Sequence, residues 1–197
     1  MAYNRKDFFF KKAKKENFAA RSIFKLEEID AKYKIVHSGN HVIDLGAAPG
    51  SWSQYLSRAI GPKGKILGVD LQPVRVSLSN ATFIEADMTT LDFESLLKEH
   101  QMRFPVDLVV SDMAPRTTGI RITDQERSYQ LSLMALETAE KVLKPGGHFV
   151  AKIFHGDAFE HFRDEAKKHY QRVEFLRPKS TRKESKEIFL IAMHKNH

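Results

Sequence analysis

Residues 41–50 read His-Val-Ile-Asp-Leu-Gly-Ala-Ala-Pro-Gly, an apolar run that takes up an acid and opens into a turn bounded by glycines. A second apolar run, Lys65 to Leu71, delivers Asp70. Strand, small-residue turn, helix and strand again is the repeating unit of a parallel α/β sheet, whose ligands sit at the carboxyl ends of the strands. The pattern continues along the chain. It predicts strands at 41–46, 65–70, 82–87, 106–111, 147–153, 171–176 and 187–193, and helices at 51–60, 92–99, 124–143 and 157–169. Runs such as Val-Asp-Leu-Val-Val-Ser at 106–111 lack clean polar alternation, which suits strands covered on both faces. Lys144-Pro145-Gly146-Gly147 stops a long helix ahead of a new strand.

At 197 residues, with no repeats and no polar linkers, the chain reads as one domain over 1–197. Residues 1–20 form a basic, aromatic N-terminal extension. Residues 21–40 form a helical prelude that Gly39 ends, with a helix at 22–32 for which Ser22 can serve as cap. The net charge of +7 favours a polyanionic partner. With no cysteine, thiolate catalysis, cysteine-ligated metals and disulfides are excluded. No apolar run is long enough to cross a bilayer, and no secretory signal is visible. The cytoplasm is therefore the expected location; Asp7 and Glu16 in the basic stretch argue against an organellar presequence, although a mitochondrial location stays open for a eukaryotic source.

Gly46-Ala47-Ala48-Pro49-Gly50, followed by Ser51-Trp52, lets backbone approach a ligand closely. Neither the three-glycine pyrophosphate turn of dinucleotide sites nor a Gly-Lys-Ser/Thr triphosphate loop is present. The turn suits a ligand whose middle is an amino acid bearing a sulfonium. Asp44 can orient the loop amides or, through water, the ligand's amine. Asp70 can accept both ribose hydroxyls of a nucleoside, and Asp87 can take the exocyclic amine of its base. Each acid alone is as easily a cap or turn former; three together, ending three successive strands around one turn, argue for bound adenosine. Trp52 packs in the core or shields the pocket rim.

Asp112 ends the fourth strand, and Lys152 lies inside an otherwise apolar fifth strand, where a lone ammonium needs a partner. Glu187 opens the last strand and reaches the same end of the sheet if that strand runs antiparallel beside the fifth. Lys25 sits at the edge of an apolar helix face. Two lysines and two acids in one cleft suit activation of a ribose hydroxyl. Lys152 either accepts the hydroxyl proton or only steers the oxygen, assisted by Lys25, Asp112 and Glu187.

Arg21-Ser22-x-x-Lys25-Leu26, Asp44-Leu45-Gly46-Ala47-Ala48-Pro49-Gly50-Ser51-Trp52-Ser53-Gln54, Gly68-Val69-Asp70-Leu71, Asp87, Asp112-Met113-Ala114-Pro115, Lys152 and Ser185-x-Glu187 occur in that order. With this set the chain resembles the FtsJ/RrmJ family of RNA ribose 2′-O-methyltransferases. The resemblance implies a Rossmann-like methyltransferase fold with a seventh, antiparallel strand. It implies S-adenosylmethionine as cofactor, contacted by Gly50, Trp52, Asp70, Asp87 and Asp112, and a catalytic tetrad of Lys25, Asp112, Lys152 and Glu187. It further implies large-subunit rRNA or a ribosomal particle as partner, with a uridine as target; tRNA and mRNA-cap methylation, or RNA binding without catalysis on the same fold, are the alternatives. Candidate RNA contacts are Lys11, Lys12, Lys14, Lys15, Arg21, Arg116 and Arg121, with Phe8, Phe9, Phe10 or Phe18 stacking on bases. No metal is expected, and a monomer is favoured. A nicotinamide dehydrogenase, an adenine N6 enzyme and a cytosine C5 enzyme are disfavoured by the missing glycine motif, Asp-Pro-Pro-type motif and cysteine.

Overall fold

The computed structural model describes residues 5–156, 158–182 and 184–197. Seven strands form one sheet: β1 (His41–Leu45), β2 (Lys65–Asp70), β3 (Ala81–Glu85), β4 (Val106–Ser111), β5 (Leu143–Phe154), β6 (Tyr170–Leu176) and β7 (Glu187–Lys195). Their order is β3-β2-β1-β4-β5-β7-β6. The first five are parallel, and β7 runs antiparallel to both β5 and β6. The strand order reverses beside β1, between β1 and β4, which is where an open α/β sheet leaves a crevice at its carboxyl edge.

Successive residues on a strand point to opposite faces, so a doubly covered strand must be apolar throughout. Val42 packs on one face and Ile43 on the other; Leu108 and Val110 face opposite to Val109. On one face α2 (Ile23–Tyr33) and α3 (Ser51–Ile60) bury Leu26, Ile29, Trp52, Leu56 and Ile60. On the other face lie α4 (Phe93–Glu99), α5 (Arg121–Val142) and α6 (Ala158–His169), burying residues such as Phe93, Leu136 and Phe162.

Three details depart from the sequence reading. The basic extension contains a helix, α1 (Arg5–Lys15), because Phe9 and Ala13 recur one turn apart and pack with Phe24 and Ile23 of α2. Ser22 does not cap α2 with its side chain; its hydroxyl hydrogen-bonds to that of Ser51 at 2.7 Å, tying the starts of α2 and α3 together. Strand β5 starts earlier than expected: Val106 pairs with Leu143 and Leu108 with His148, so Pro145, Gly146 and Gly147 bulge out of the ladder instead of preceding it. No described helix is long and apolar enough to cross a membrane.

Candidate active site

The turn after β1 is held by the neighbouring strand: the Gly46 and Ala47 N–H groups both donate to the Val69 carbonyl, at 2.8 and 3.2 Å. Gly46 and Gly50 have φ of 77° and 108°, conformations costly for residues with a Cβ. A Cβ on Gly46 would lie 2.6 Å from Met113 Cγ, so the turns after β1 and β4 meet edge to edge only because this position is bare. Helix α3 starts directly behind the turn, its first residues Ser51, Trp52 and Ser53 buried beneath it and its N-cap Gly50 offering no side chain.

A cavity of about 440 Å³ opens over these strand ends, within the range of small-molecule sites. Asp70, Asp87 and Asp112 border it, together with Gly46 and the apolar side chains of Leu71 and Met113. Each Asp70 oxygen accepts one backbone N–H, Oδ2 from Ala48 at 2.9 Å and Oδ1 from Gln72 at 2.8 Å. That fixes the carboxylate plane and leaves a lone pair on each oxygen for two further donors, as a ribose diol requires. Asp87 caps the short 3-10 turn Met88–Thr90: its Oδ1 accepts the N–H and hydroxyl of Thr89, at 2.9 and 2.7 Å. Those bonds lower its pKa and leave Oδ2 without a bond to the described residues. Capping the turn thus occupies one oxygen of the side chain and leaves the other open to a further donor.

Asp44 lies beneath the turn, fully buried. Ser53 donates to its Oδ2 at 2.6 Å, while Oδ1 has no partner among the described residues. Burial, with Asp112 and Asp70 nearby, raises its pKa to about 7 against the pull of the Ser53 bond. Gly50 and Trp52, expected cofactor contacts, do not border the cavity. The Trp52 indole is 2% exposed, donates to the Ser22 carbonyl at 3.0 Å and packs against Phe189 at 5.7 Å.

Two nearly buried ion pairs stand at the same end of the sheet. Lys152 Nζ donates to the Asp112 carbonyl at 2.5 Å and to its Oδ1 at 2.9 Å. Lys25 Nζ lies 2.7 Å from Glu187 Oε1 and 5.7 Å from the Phe189 ring centroid. The ladder explains their proximity. Lys152 pairs with Phe189 across β5 and β7, and Glu187 is two residues from Phe189 on the same strand, hence on the same face. Helix α2 covers that face and brings Lys25 over it. With all four ionised the cluster is neutral, which makes burial of two ammonium groups tolerable.

Buried residues that the sequence reading missed hold this cluster. Strand β4 ends at Ser111, opposite Ala151, so β5 runs on past its neighbour. Helix α5 takes over. The Ser132 hydroxyl lies 2.8 Å from the Lys152 carbonyl, and Ser128 Oγ accepts the Phe154 N–H at 2.9 Å. On α2, one turn beyond Lys25, Glu28 accepts the N–H groups of Lys179 and Ser180 at 2.6 and 2.9 Å and so anchors the segment leading to Glu187. Serines in a helix and a glutamate on its polar side carry no local signal of such roles.

The candidate RNA contacts differ in exposure. Lys11, Lys14 and Lys15 are exposed on α1, whereas Lys12 lies 4.5 Å over the Phe24 ring. Phe8 and Phe10 are exposed; Phe9 and Phe18 pack inward. Arg21 is half-buried, its pKa lowered by burial and by Arg182, with Glu187 and Glu184 opposing. Arg116 and Arg121 are exposed, and Arg121 borders a second concavity together with Glu187.

A family model described as FtsJ-like methyltransferase matches residues 18–195. The chain belongs to the FtsJ-like methyltransferase family. Among its curated relatives, the ribosomal RNA large subunit methyltransferase E of Bdellovibrio bacteriovorus is 58% identical over 99% of this chain and 100% of its own length. The protein of the same name from Syntrophobacter fumaroxidans is 45% identical over 98% of each chain. A crystal structure from Plasmodium falciparum assigned as a ribosomal RNA methyltransferase superposes with a TM-score of 0.79 at 27% identity, covering 90% of this chain and 98% of that one. Fibrillarin from Aeropyrum pernix, solved with S-adenosyl-L-methionine, shares the fold at a TM-score of 0.57 and 18% identity, covering 81% and 68%. This FtsJ-like protein is therefore a methyltransferase, on a sheet of the expected kind.

Proposed function

We propose that this methyltransferase moves a methyl group from S-adenosylmethionine to a ribose 2′-hydroxyl of large-subunit rRNA, at a uridine, in the cytoplasm. The single observation that carries the reading is the sharing of Asp112: it borders the cofactor cavity and also holds Lys152, so cofactor and reacting cluster meet at one residue. The near-full-length likeness to large-subunit rRNA methyltransferases supports the choice of substrate.

The residues present fit the cofactor. The Asp70 lone pairs suit a ribose diol, and Asp87 Oδ2 suits an adenine amine. Asp44, buried beneath the turn with an orphan oxygen and a pKa raised to about 7, is an acid that a bound cation draws toward ionisation. When bound, S-adenosylmethionine supplies an electrophilic methyl on a sulfonium. The chain's own part is to position and ready the hydroxyl. Two of the hydrogens on Lys152 Nζ are committed to Asp112. The remaining position, a proton on the ammonium or a lone pair on the amine, is the one that meets the hydroxyl. Glu187 keeps Oε2 as an acceptor while Lys25 holds Oε1. Alignment of oxygen with methyl carbon and sulfur is the main contribution, and fixed buried pairs provide it without reorganisation. Lys11, Lys12, Lys14, Lys15, Arg21, Arg116 and Arg121 supply the surrounding positive field that draws in RNA.

The test uses labelled S-adenosylmethionine and unmethylated large ribosomal subunits, followed by alkaline digestion. A 2′-O-methyl group blocks cleavage at its own linkage. One alkali-resistant, labelled linkage at a uridine is the expected result; label confined to bases, with every linkage cleaved, would overturn the assignment.

A further inference from the structure

Asp112 borders the cofactor cavity, and Glu187 borders a second concavity of about 370 Å³. The four-residue cluster therefore stands between two spaces, and the cofactor accounts for only one. The second is edged by Arg121, Lys186 and the imidazole of His155.

His155 follows the last residue of β5, three positions after Lys152. Its backbone is pinned on both sides. The N–H donates to the Lys186 carbonyl at 2.8 Å, and the carbonyl accepts Gln125 Nε2 at 2.6 Å. A Cβ on the following residue, Gly156, would lie 2.4 Å from that same Nε2, so a larger residue there would push the Gln125 side chain aside. The ring itself is stacked on Phe159, with centroids 5.5 Å apart and planes 26° from parallel. Phe159 in turn packs on Phe175 of β6 at 4.1 Å. His155 is nonetheless exposed, so an aromatic ring is held at fixed height in the mouth of a cleft, backed on one side and open to solvent elsewhere. It takes no part in the core or in the ion-pair cluster. Two exposed cations, Arg121 and Lys186, border the same space.

We propose that His155 is a stacking platform for a base of the RNA strand that carries the acceptor ribose, with Arg121 and Lys186 taking the adjoining phosphates. An unpaired base presents a flat face to such a ring, and stacking of this kind contributes binding without reading sequence. The ring's place, three residues from Lys152 and in the concavity bordered by Glu187, puts the platform where it orients the strand relative to the methyl donor. The inference rests on the RNA-methylation reading above.

The test compares wild type, His155→Ala and His155→Phe on unmethylated large ribosomal subunits. S-Adenosylmethionine affinity, measured by calorimetry, serves as the check on folding. His155→Ala should raise KM for RNA about tenfold, in the range of one lost stacking contact, with the loss falling on KM and not on kcat. His155→Phe, which keeps a flat ring and loses both nitrogens, should restore KM to within about twofold of wild type by the same reasoning. An unchanged KM in His155→Ala overturns the proposal. So does a loss confined to kcat, or a His155→Phe variant as weak as the alanine, which would mark the imidazole as a hydrogen-bonding group. Absence of methyl transfer by the wild-type chain would instead sink the reading on which the proposal rests.

Discussion

Asp44→Asn separates a buried charge from a buried shape, and its effect has a sign that depends on pH. Asp44 is fully buried with one hydrogen bond, and burial raises its pKa from 3.8 to about 7. Below the unfolded value both states hold the proton, and the site carries no penalty. As pH rises the unfolded chain ionises while the folded one keeps its proton, so stability drains by about 1.4 kcal/mol per pH unit. The drain ends near pH 7, after a total of about 4 kcal/mol, an upper figure that relaxation around the site will reduce. Asparagine still accepts the Ser53 hydroxyl but never ionises. Its buried amide costs about 1–3 kcal/mol at every pH, so the slope and not the absolute stability is diagnostic. Urea denaturation of the cofactor-free protein at pH 5, 6, 7 and 8 should show wild type losing stability relative to Asp44→Asn as pH rises to about 7, with a constant gap above. Cofactor affinity should follow the same titration: it rises with pH through this window in wild type, because a cation favours the ionised acid, and stays flat in the variant. Parallel stability curves across the whole range would refute the argument that burial governs this carboxylate.

Two further outcomes follow from the same geometry. Ser132→Ala removes a hydroxyl whose one proton lies between the Ser128 and Lys152 carbonyls, at 2.7 and 2.8 Å, a loss of about 1 kcal/mol. Turnover should fall while S-adenosylmethionine affinity stays within about twofold, because the contact acts on Lys152 and not on the cofactor cavity; unchanged turnover would show that β5 needs no such brace. Glutamate at Lys11, Lys12, Lys14 and Lys15 should weaken rRNA binding and flatten its salt dependence, since fewer counterions are released. An unaltered salt slope would remove α1 from the RNA footprint.

The strands and their acids were legible in the sequence because doubly covered strands are apolar runs and each of Asp70, Asp87 and Asp112 lies at or just past a strand end. Helix α3, over 51–60, was readable to the residue from the turn before it and Gly61 after it. Helix α1 was not. Phe8, Phe9 and Phe10 in a row hide the period that Phe9 and Ala13 alone would show, and only packing on Phe24 selects it. The pairing of Lys152 with Asp112 could be anticipated from adjacent strand ends. The pairing of Lys25 with Glu187 depends on where α2 lies over the sheet, which no local pattern encodes. Ser128, Ser132 and Glu28 act on backbone atoms far away in sequence, and a backbone atom left bare by a strand's end has no signature in the chain. Trp52 was left between core and pocket rim, and its packing on Phe189 could be decided only by seeing β7 beside β5.

Single-turnover methylation of large ribosomal subunits by Lys152→Ala tests the central claim most directly, with S-adenosylmethionine binding measured on the same preparation. Removal of the amine that readies the hydroxyl should slow transfer by at least about a hundredfold, while the cofactor still binds within a few-fold of wild type. Transfer at the wild-type rate would contradict the account, because the oxygen would then be readied by some other group.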